Sequence, residues 1–118
     1  PVQQHTPGNP HIISAEKYIQ RNYQKNITLN DIAQSAGVGR TYLCRLFKEE
    51  LNTSVWDYVN RTRVEQAKFY IQTAQNIAVY EIAARCGFED SSYFARIFRK
   101  YEGISPREYI RRKQEGTA

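Results

Sequence analysis

The chain has 118 residues, 41% of them hydrophobic and 13% aromatic, enough for one domain or two very small lobes with a modest core, and too few for a large enzyme. Seventeen Lys and Arg against twelve Asp and Glu leave a net charge of +5, which in a chain this apolar marks a folded domain with a polyanionic partner rather than a disordered basic tail. All of the excess lies in residues 91–113, where Arg96, Arg99, Lys100, Arg107, Arg111, Arg112 and Lys113 outweigh Glu102 and Glu108, and the rest of the chain is neutral.

Cys44 and Cys86 stand 42 residues apart without CxxC spacing, and both histidines, His5 and His11, lie near the N-terminus, so no zinc site and no cofactor are expected. Each cysteine sits in an apolar-periodic segment, which predicts a small buried hydrophobe and a reduced thiol in a cytoplasmic protein. No run approaches the roughly 18 apolar residues of a membrane span, and no charged segment followed by an apolar one marks a signal peptide. Methionine is absent, the initiator included, so the chain is expected to be a piece of a longer polypeptide.

Residues 1–10 (PVQQHTPGNP) lack periodicity and read as a linker or disordered lead-in. Ala15, Ile19 and Tyr23 recur at helical spacing behind Ser14, a candidate N-cap, which predicts a helix over about 14–23. Thr28-Leu29-Asn30-Asp31 is a capping-box pattern opening a short helix that Gly37 stops. After the turn, Leu43, Leu46 and Phe47 form one face of a helix to about Glu50, giving a helix-turn-helix lobe over 11–53. A second box, Ser54 to Asp57, opens a helix without Gly or Pro over 54–72, with Trp56 expected as a buried anchor at its start.

The pattern then returns. Ile77, Ile82, Ala83, Gly87 and Phe88 match Ile27, Ile32, Ala33, Gly37 and Val38 at an offset of 50, and past the turn Tyr93, Phe94, Ile97 and Phe98 match Tyr42, Leu43, Leu46 and Phe47 at an offset of 51. Ser105-Pro106-Arg107-Glu108-Tyr109, with an N-cap Ser and a Pro at the first helical position, matches Ser54 to Tyr58 at the same offset. No alternating β-branched runs are present. The expected fold is all-α: about seven helices in two helix-turn-helix lobes, 11–53 and 73–113, joined by a linker helix over 54–72, with a tail over 114–118.

With the apolar residues turned inward, Thr41, Cys44, Arg45 and Lys48 share another stripe of the first post-turn helix, and the offset of 51 puts Ser92, Ala95, Arg96 and Arg99 on the matching stripe of the second. A major groove about 12 Å wide admits such a helix, small residues permit close approach, and Arg can donate bidentately to guanine O6 and N7. Lys48, Arg99 and the adjacent Lys100 are placed to reach phosphates. Tyr42 and Tyr93 lie beside the apolar faces and are expected to pack into the cores. Nineteen linker residues at about 1.5 Å rise span roughly 28 Å, near the ~34 Å between successive major-groove faces.

At this point the chain resembles the AraC/XylS family of bacterial transcription regulators, through its C-terminal DNA-binding domain, over about residues 10–113. The resemblance is carried by Arg63-Val64, Ala67, Ile71, Ile82-Ala83, Cys86-Gly87-Phe88, Tyr93-Phe94, Arg96, Phe98, Gly103-Ile104-Ser105-Pro106 and Tyr109, and in the first half by Leu29, Ile32-Ala33, Tyr42-Leu43 and Arg45-Leu46-Phe47-Lys48. It implies promoter binding by two recognition helices, attachment to a sensing or receiver domain, contact with RNA polymerase, and residence at the bacterial nucleoid in the cytoplasm. Carried over by position, the base-reading residues are Arg40, Thr41, Cys44 and Arg45 in the first lobe and Ser91, Ser92, Ala95 and Arg96 in the second. Two departures stand out: Gly39-Arg40 replaces the family's Ser-Pro entry to the first recognition helix, and Ala78 replaces a capping residue before the second lobe's first helix.

An enzyme is disfavoured, because there is no GxxxxGK loop, no histidine in a periodic segment and no clustered carboxylates. The competing reading is a helical protein-interaction adaptor without specific DNA readout.

Overall fold

The computed structural model describes residues 8–116, all of whose regular structure is helical. Seven α-helices follow in order: α1 (Pro10–Asn22), α2 (Leu29–Ala36), α3 (Arg40–Leu46), α4 (Val55–Thr73), α5 (Val79–Arg85), α6 (Ser91–Glu102) and α7 (Pro106–Gln114). The chain divides into two compact units, one up to Val59 and the other from Asn60, so the boundary falls inside α4.

Local signals account for most of the helix ends. The Thr28 hydroxyl accepts from the Asp31 N–H while the Asp31 carboxylate accepts from the Thr28 N–H, which closes the capping box of α2. Ser54 and Ser105 accept from the N–H groups of Asp57 and Glu108. Helices α2 and α5 end alike: Gly37 at φ 73° and Gly87 at φ 96° take the left-handed turn. The amides of Val38 and Phe88 then reach back to the Ala33 and Ala83 carbonyls at 3.1 and 2.9 Å, and those of Gly37 and Gly87 bond Gln34 and Ala84, both at 3.1 Å.

The first unit's core gathers Ile12, Ala15 and Ile19 of α1, Ile32, Ala33 and Ala36 of α2, Leu43, Leu46 and Phe47 around α3, and Val55 and Val59 of α4. The second unit repeats it with Val64, Ala67 and Ile71 of α4, Ile82, Ala83 and Cys86 around α5, and Phe94 and Phe98 of α6. The α1 residues Ile12, Ala15 and Ile19 match the α4 residues Val64, Ala67 and Ile71 at an offset of 52. Val55 and Val59 in turn correspond to Pro106 and Ile110 of α7 at an offset of 51. Helix α4 is therefore two elements in one: the last helix of the first repeat continues without a break into the first helix of the second. Even the ring packing repeats, since Tyr58 meets Phe47 edge-on at 5.6 Å and Tyr109 meets Phe98 edge-on at 5.5 Å.

Several expectations need correction. Helix α1 starts at Pro10, not after Ser14, because Asn9 is the cap: its side chain accepts from the His11 N–H at 2.8 Å, and Pro10 fits the first helical position, whose N–H would be unpaired anyway. Of the expected lead-in, residues 1–7 lie outside the described residues, as do residues 117 and 118 of the tail. The helix expected to run to Glu50 is α-helical only to Leu46 and continues as a wider π turn over Phe47–Leu51, closed by Asn52 at φ 55°. Trp56 is 41% exposed and Tyr42 and Tyr93 each 39%, so none is a core residue.

Candidate nucleic-acid interface

Each Gly turn hands the chain to the helix that carries the candidate contacts. Helix α3 is held by Leu43 and Leu46, and α6 by Phe94 and Phe98, all on the buried face. That orientation leaves the opposite stripe open. Arg40, Thr41, Cys44, Arg45 and Lys48 are exposed on the first unit, and Ser91, Ser92, Arg96, Arg99 and Lys100 on the second, with Ala95 half-buried. Both stripes are thus assembled as the spacing predicts, with one difference of backbone: Lys48 lies in the π turn, whereas its counterpart Arg99 continues a regular α-helix. Cys44 was expected to be buried, and it is exposed because the stripe it shares with Arg45 points away from Leu43.

The two stripe arginines are held in the same way. The Arg45 guanidinium stacks over the Tyr42 ring at 5.0 Å, and Arg96 stacks over Tyr93 at 5.6 Å. Among the described residues no carboxylate forms an ion pair with Arg40, Arg45, Lys48, Arg96 or Arg99, so these cations remain open to a polyanion. Three of the four basic residues of α7 are engaged differently. Arg111 and Arg112 both bond Glu108, Arg111 also reaches Glu115 at 2.6 Å, and the Lys113 ammonium donates to the Ile71 carbonyl at 2.5 Å. Glu108 is correspondingly held below the usual carboxylate range by hydrogen bonds from Arg111 and Arg112. Among the described residues, the exposed cations of 91–113 that form no ion pair therefore include Arg96 and Arg99 of α6 and Arg107 at the start of α7.

Beneath α6 lies a buried polar layer that the sequence did not announce. Asn60 and Arg63, both 9% exposed, lie on α4; Asn60 donates to the Tyr93 hydroxyl at 3.4 Å and Arg63 stands over the Phe88 ring at 5.6 Å. Burial pulls the Arg63 guanidinium down, and nearby Tyr93, Cys86 and Glu89 counteract it. Burial pushes the Cys86 thiol up to about 12 despite the opposing pull of Arg63, so it stays protonated and inert. The signal that would have found the tyrosines was present: a Tyr-x-x-Arg step recurs in both helices at the same offset. Asn60 had no counterpart to reveal it. No three His, Cys, Asp or Glu side chains gather into a metal site among the described residues, and no helix there is long and apolar enough to cross a membrane.

Comparison with known proteins agrees with this arrangement. The family described as "Helix-turn-helix domain" matches residues 32–112. The raffinose operon transcriptional regulatory protein of Pediococcus pentosaceus is 37% identical over 95 residues, covering 80% of this chain and 34% of its own length. Among solved structures, the C-terminal domain of AraT, a response regulator from Geobacillus stearothermophilus, superposes with a TM-score of 0.81 at 32% identity, covering 87% of this chain and 85% of that one. A transcriptional regulator from Chromobacterium violaceum, described among AraC-type DNA-binding domain-containing proteins, does so with a TM-score of 0.79 at 30% identity, covering 87% and 91%. The chain spans about a third of the length of most of the curated relatives it matches, the raffinose operon regulator among them.

Proposed function

We propose that this chain, which belongs to the AraC-type helix-turn-helix family of DNA-binding transcription regulators, reads a specific double-stranded promoter sequence with α3 and α6 in successive major grooves. Arg40, Thr41, Cys44 and Arg45 are the base-reading residues of the first unit and Ser91, Ser92, Ala95 and Arg96 those of the second. Lys48, Arg99 and Lys100 bind phosphate. The observation that carries this reading is the pair of exposed Arg-bearing faces at one offset, whose Arg45 and Arg96 form no ion pair among the described residues, each built on a helix that follows a Gly turn. Solvation accounts for one basic helix face; it does not account for the same residue classes at the same positions twice. The chain is a binding module and not an enzyme. It works in the bacterial cytoplasm at the nucleoid, within a longer regulator that adds a sensing or receiver domain and contacts RNA polymerase.

Selection of bound duplexes from a random pool, followed by titration of the best site against a scrambled one at several salt concentrations, tests the reading. Affinity for both duplexes is expected to fall steeply with salt as phosphate counterions are released. Arg96→Ala is expected to cost about 1–3 kcal/mol on the best site and to relax one base position, while Lys48→Ala or Arg99→Ala weakens all sequences alike and lowers the salt slope by about one. No enrichment from the pool, with binding indifferent to salt, would turn the assignment toward a protein-interaction adaptor.

A further inference from the structure

In both recognition helices the stripe arginine lies back on the tyrosine three residues earlier, at 5.0 Å for Arg45 on Tyr42 and 5.6 Å for Arg96 on Tyr93. Helical side chains lean toward the N-terminus, so a long residue at i+3 naturally covers the one at i. Stacking of this kind engages the flat face of the guanidinium and leaves its N–H donors, which lie in the plane, pointing past the ring edge. A bidentate contact to a base edge needs those in-plane donors and nothing from the face. The ring therefore restricts the arginine without consuming what it would use.

We propose, building on the DNA-reading role given above to Arg45 and Arg96, that Tyr42 and Tyr93 are positioning residues that hold these two guanidinium groups ready before DNA arrives. Asn60, in turn, fixes Tyr93. The tyrosines are not core residues: each is 39% exposed, while their neighbours Leu43 and Phe94 are fully buried. Each is nonetheless also held by a helix that takes the same place in the two repeats. In the second unit, buried Asn60 of α4 donates to the Tyr93 hydroxyl at 3.4 Å, and the Phe88 ring lies 6.0 Å from the Tyr93 ring. In the first, the His11 ring of α1 meets Tyr42 edge-on at 6.3 Å, and is itself fixed by a 2.8 Å contact between its Nδ1 and the Ala36 carbonyl. Two chemically different supports reach the same Tyr–Arg pair from corresponding helices. A tyrosine present merely to fill space would need neither.

The test has a DNA-free arm and a DNA arm. In the free chain, ring current from Tyr93 is expected to move the Arg96 Cδ protons upfield in wild type and in Tyr93→Phe, and the displacement is expected to vanish in Tyr93→Leu. On DNA, Tyr93→Leu should lower the affinity ratio of selected to scrambled duplex about two- to fivefold, the range of an exposed cation–π contact, and leave the scrambled duplex unchanged. Tyr93→Phe, which keeps the ring and loses the Asn60 bond, should lower the ratio by no more than about twofold. In an Arg96→Ala background, Tyr93→Leu should change the ratio no further. A full loss in that background would mean that the tyrosine contacts DNA itself, and an unchanged ratio in the single variant would mean that the ring does not prepare the arginine; either overturns the proposal. Absence of the upfield displacement in wild type overturns it whatever the DNA does. A wild-type chain with the displacement but without any preferred duplex sinks the DNA reading while sustaining the stacking.

Discussion

The two units share one plan and secure it at opposite ends. In the first, the supporting helix α2 opens with the reciprocal Thr28–Asp31 box, while the recognition helix α3 starts at Gly39 with no side-chain cap and gives way after seven residues to a π turn. In the second the order is reversed. Helix α5 starts uncapped at Ala78, which stands where the repeat has Thr28, and α6 starts at Asp90, which stands where the repeat has Gly39 and accepts from the Ser92 N–H at 2.8 Å. Helix α6 then runs twelve residues to Gly103. The second recognition helix is thus specified locally, by its cap and its length, whereas the first depends on Leu43, Leu46 and Phe47 being locked into their core. The unit that carries most of the charge excess is also the one whose contact helix has the better local definition.

The largest blow to this comparison comes from the cores. Phe47→Ala and Phe98→Ala remove matching buried rings and should each cost about 3–5 kcal/mol. Hydrogen exchange should show lost protection confined to α1 through α3 for Phe47→Ala and to α5 through α7 for Phe98→Ala; loss throughout the chain from either would mean that the units melt as one.

Alkaline pH separates them next. The Cys86 thiol is raised from its usual 9.0 to about 12 by burial. Its contribution to the second unit is complete below about pH 9, and it declines as pH climbs toward 12, because the unfolded chain gives up that proton first. In the first unit the Tyr58 hydroxyl, raised from 10.0 to about 12 by burial and then by Glu16, whose carboxylate accepts its hydrogen bond at 3.2 Å, begins the same decline near pH 10. Urea unfolding between pH 8 and 11 should therefore show a fall in stability that is shallower in Cys86→Ala; an identical fall would clear the thiol of responsibility.

Caps give smaller effects. Asp90→Ala should cost about 1 kcal/mol, and Ala78→Thr, which restores the first unit's residue, should gain about as much, each seen as a shift of the urea midpoint at constant slope. Least of all, Gly39→Asp should add a few tenths of a kcal/mol, because Gly is already a tolerable cap. A gain from Gly39→Asp larger than that from Ala78→Thr would reverse the ranking of the two helix starts.

Much of this was legible in the chain. A Ser or Thr three residues before an acid, a Gly after a short apolar run, and leucines and phenylalanines at helical spacing each act within one or two turns, so Thr28, Gly37, Gly87 and Ser105 could be placed without knowing what surrounds them. The repeat followed from the same marks, and with it the two stripes ending in Arg45 and Arg96. Other features depended on what packs where. Tyr42 and Tyr93 border the apolar face, and periodicity cannot tell how far another helix covers a border residue; His11 of α1 and Asn60 of α4 cover them only in part, and an arginine lies over each ring. Trp56 stayed outside for the same reason, at a helix start whose buried position is taken by Val55. Cys44 and Cys86 read alike in sequence, yet one faces outward and the other is buried and protonated. The double role of α4 was the hardest to see, because a run without Gly or Pro marks a helix without saying how many cores it serves. Local hydrogen bonding and spacing set where the helices begin and end, and only the competition for buried surface decided which side chains were left at the surface to meet a ligand.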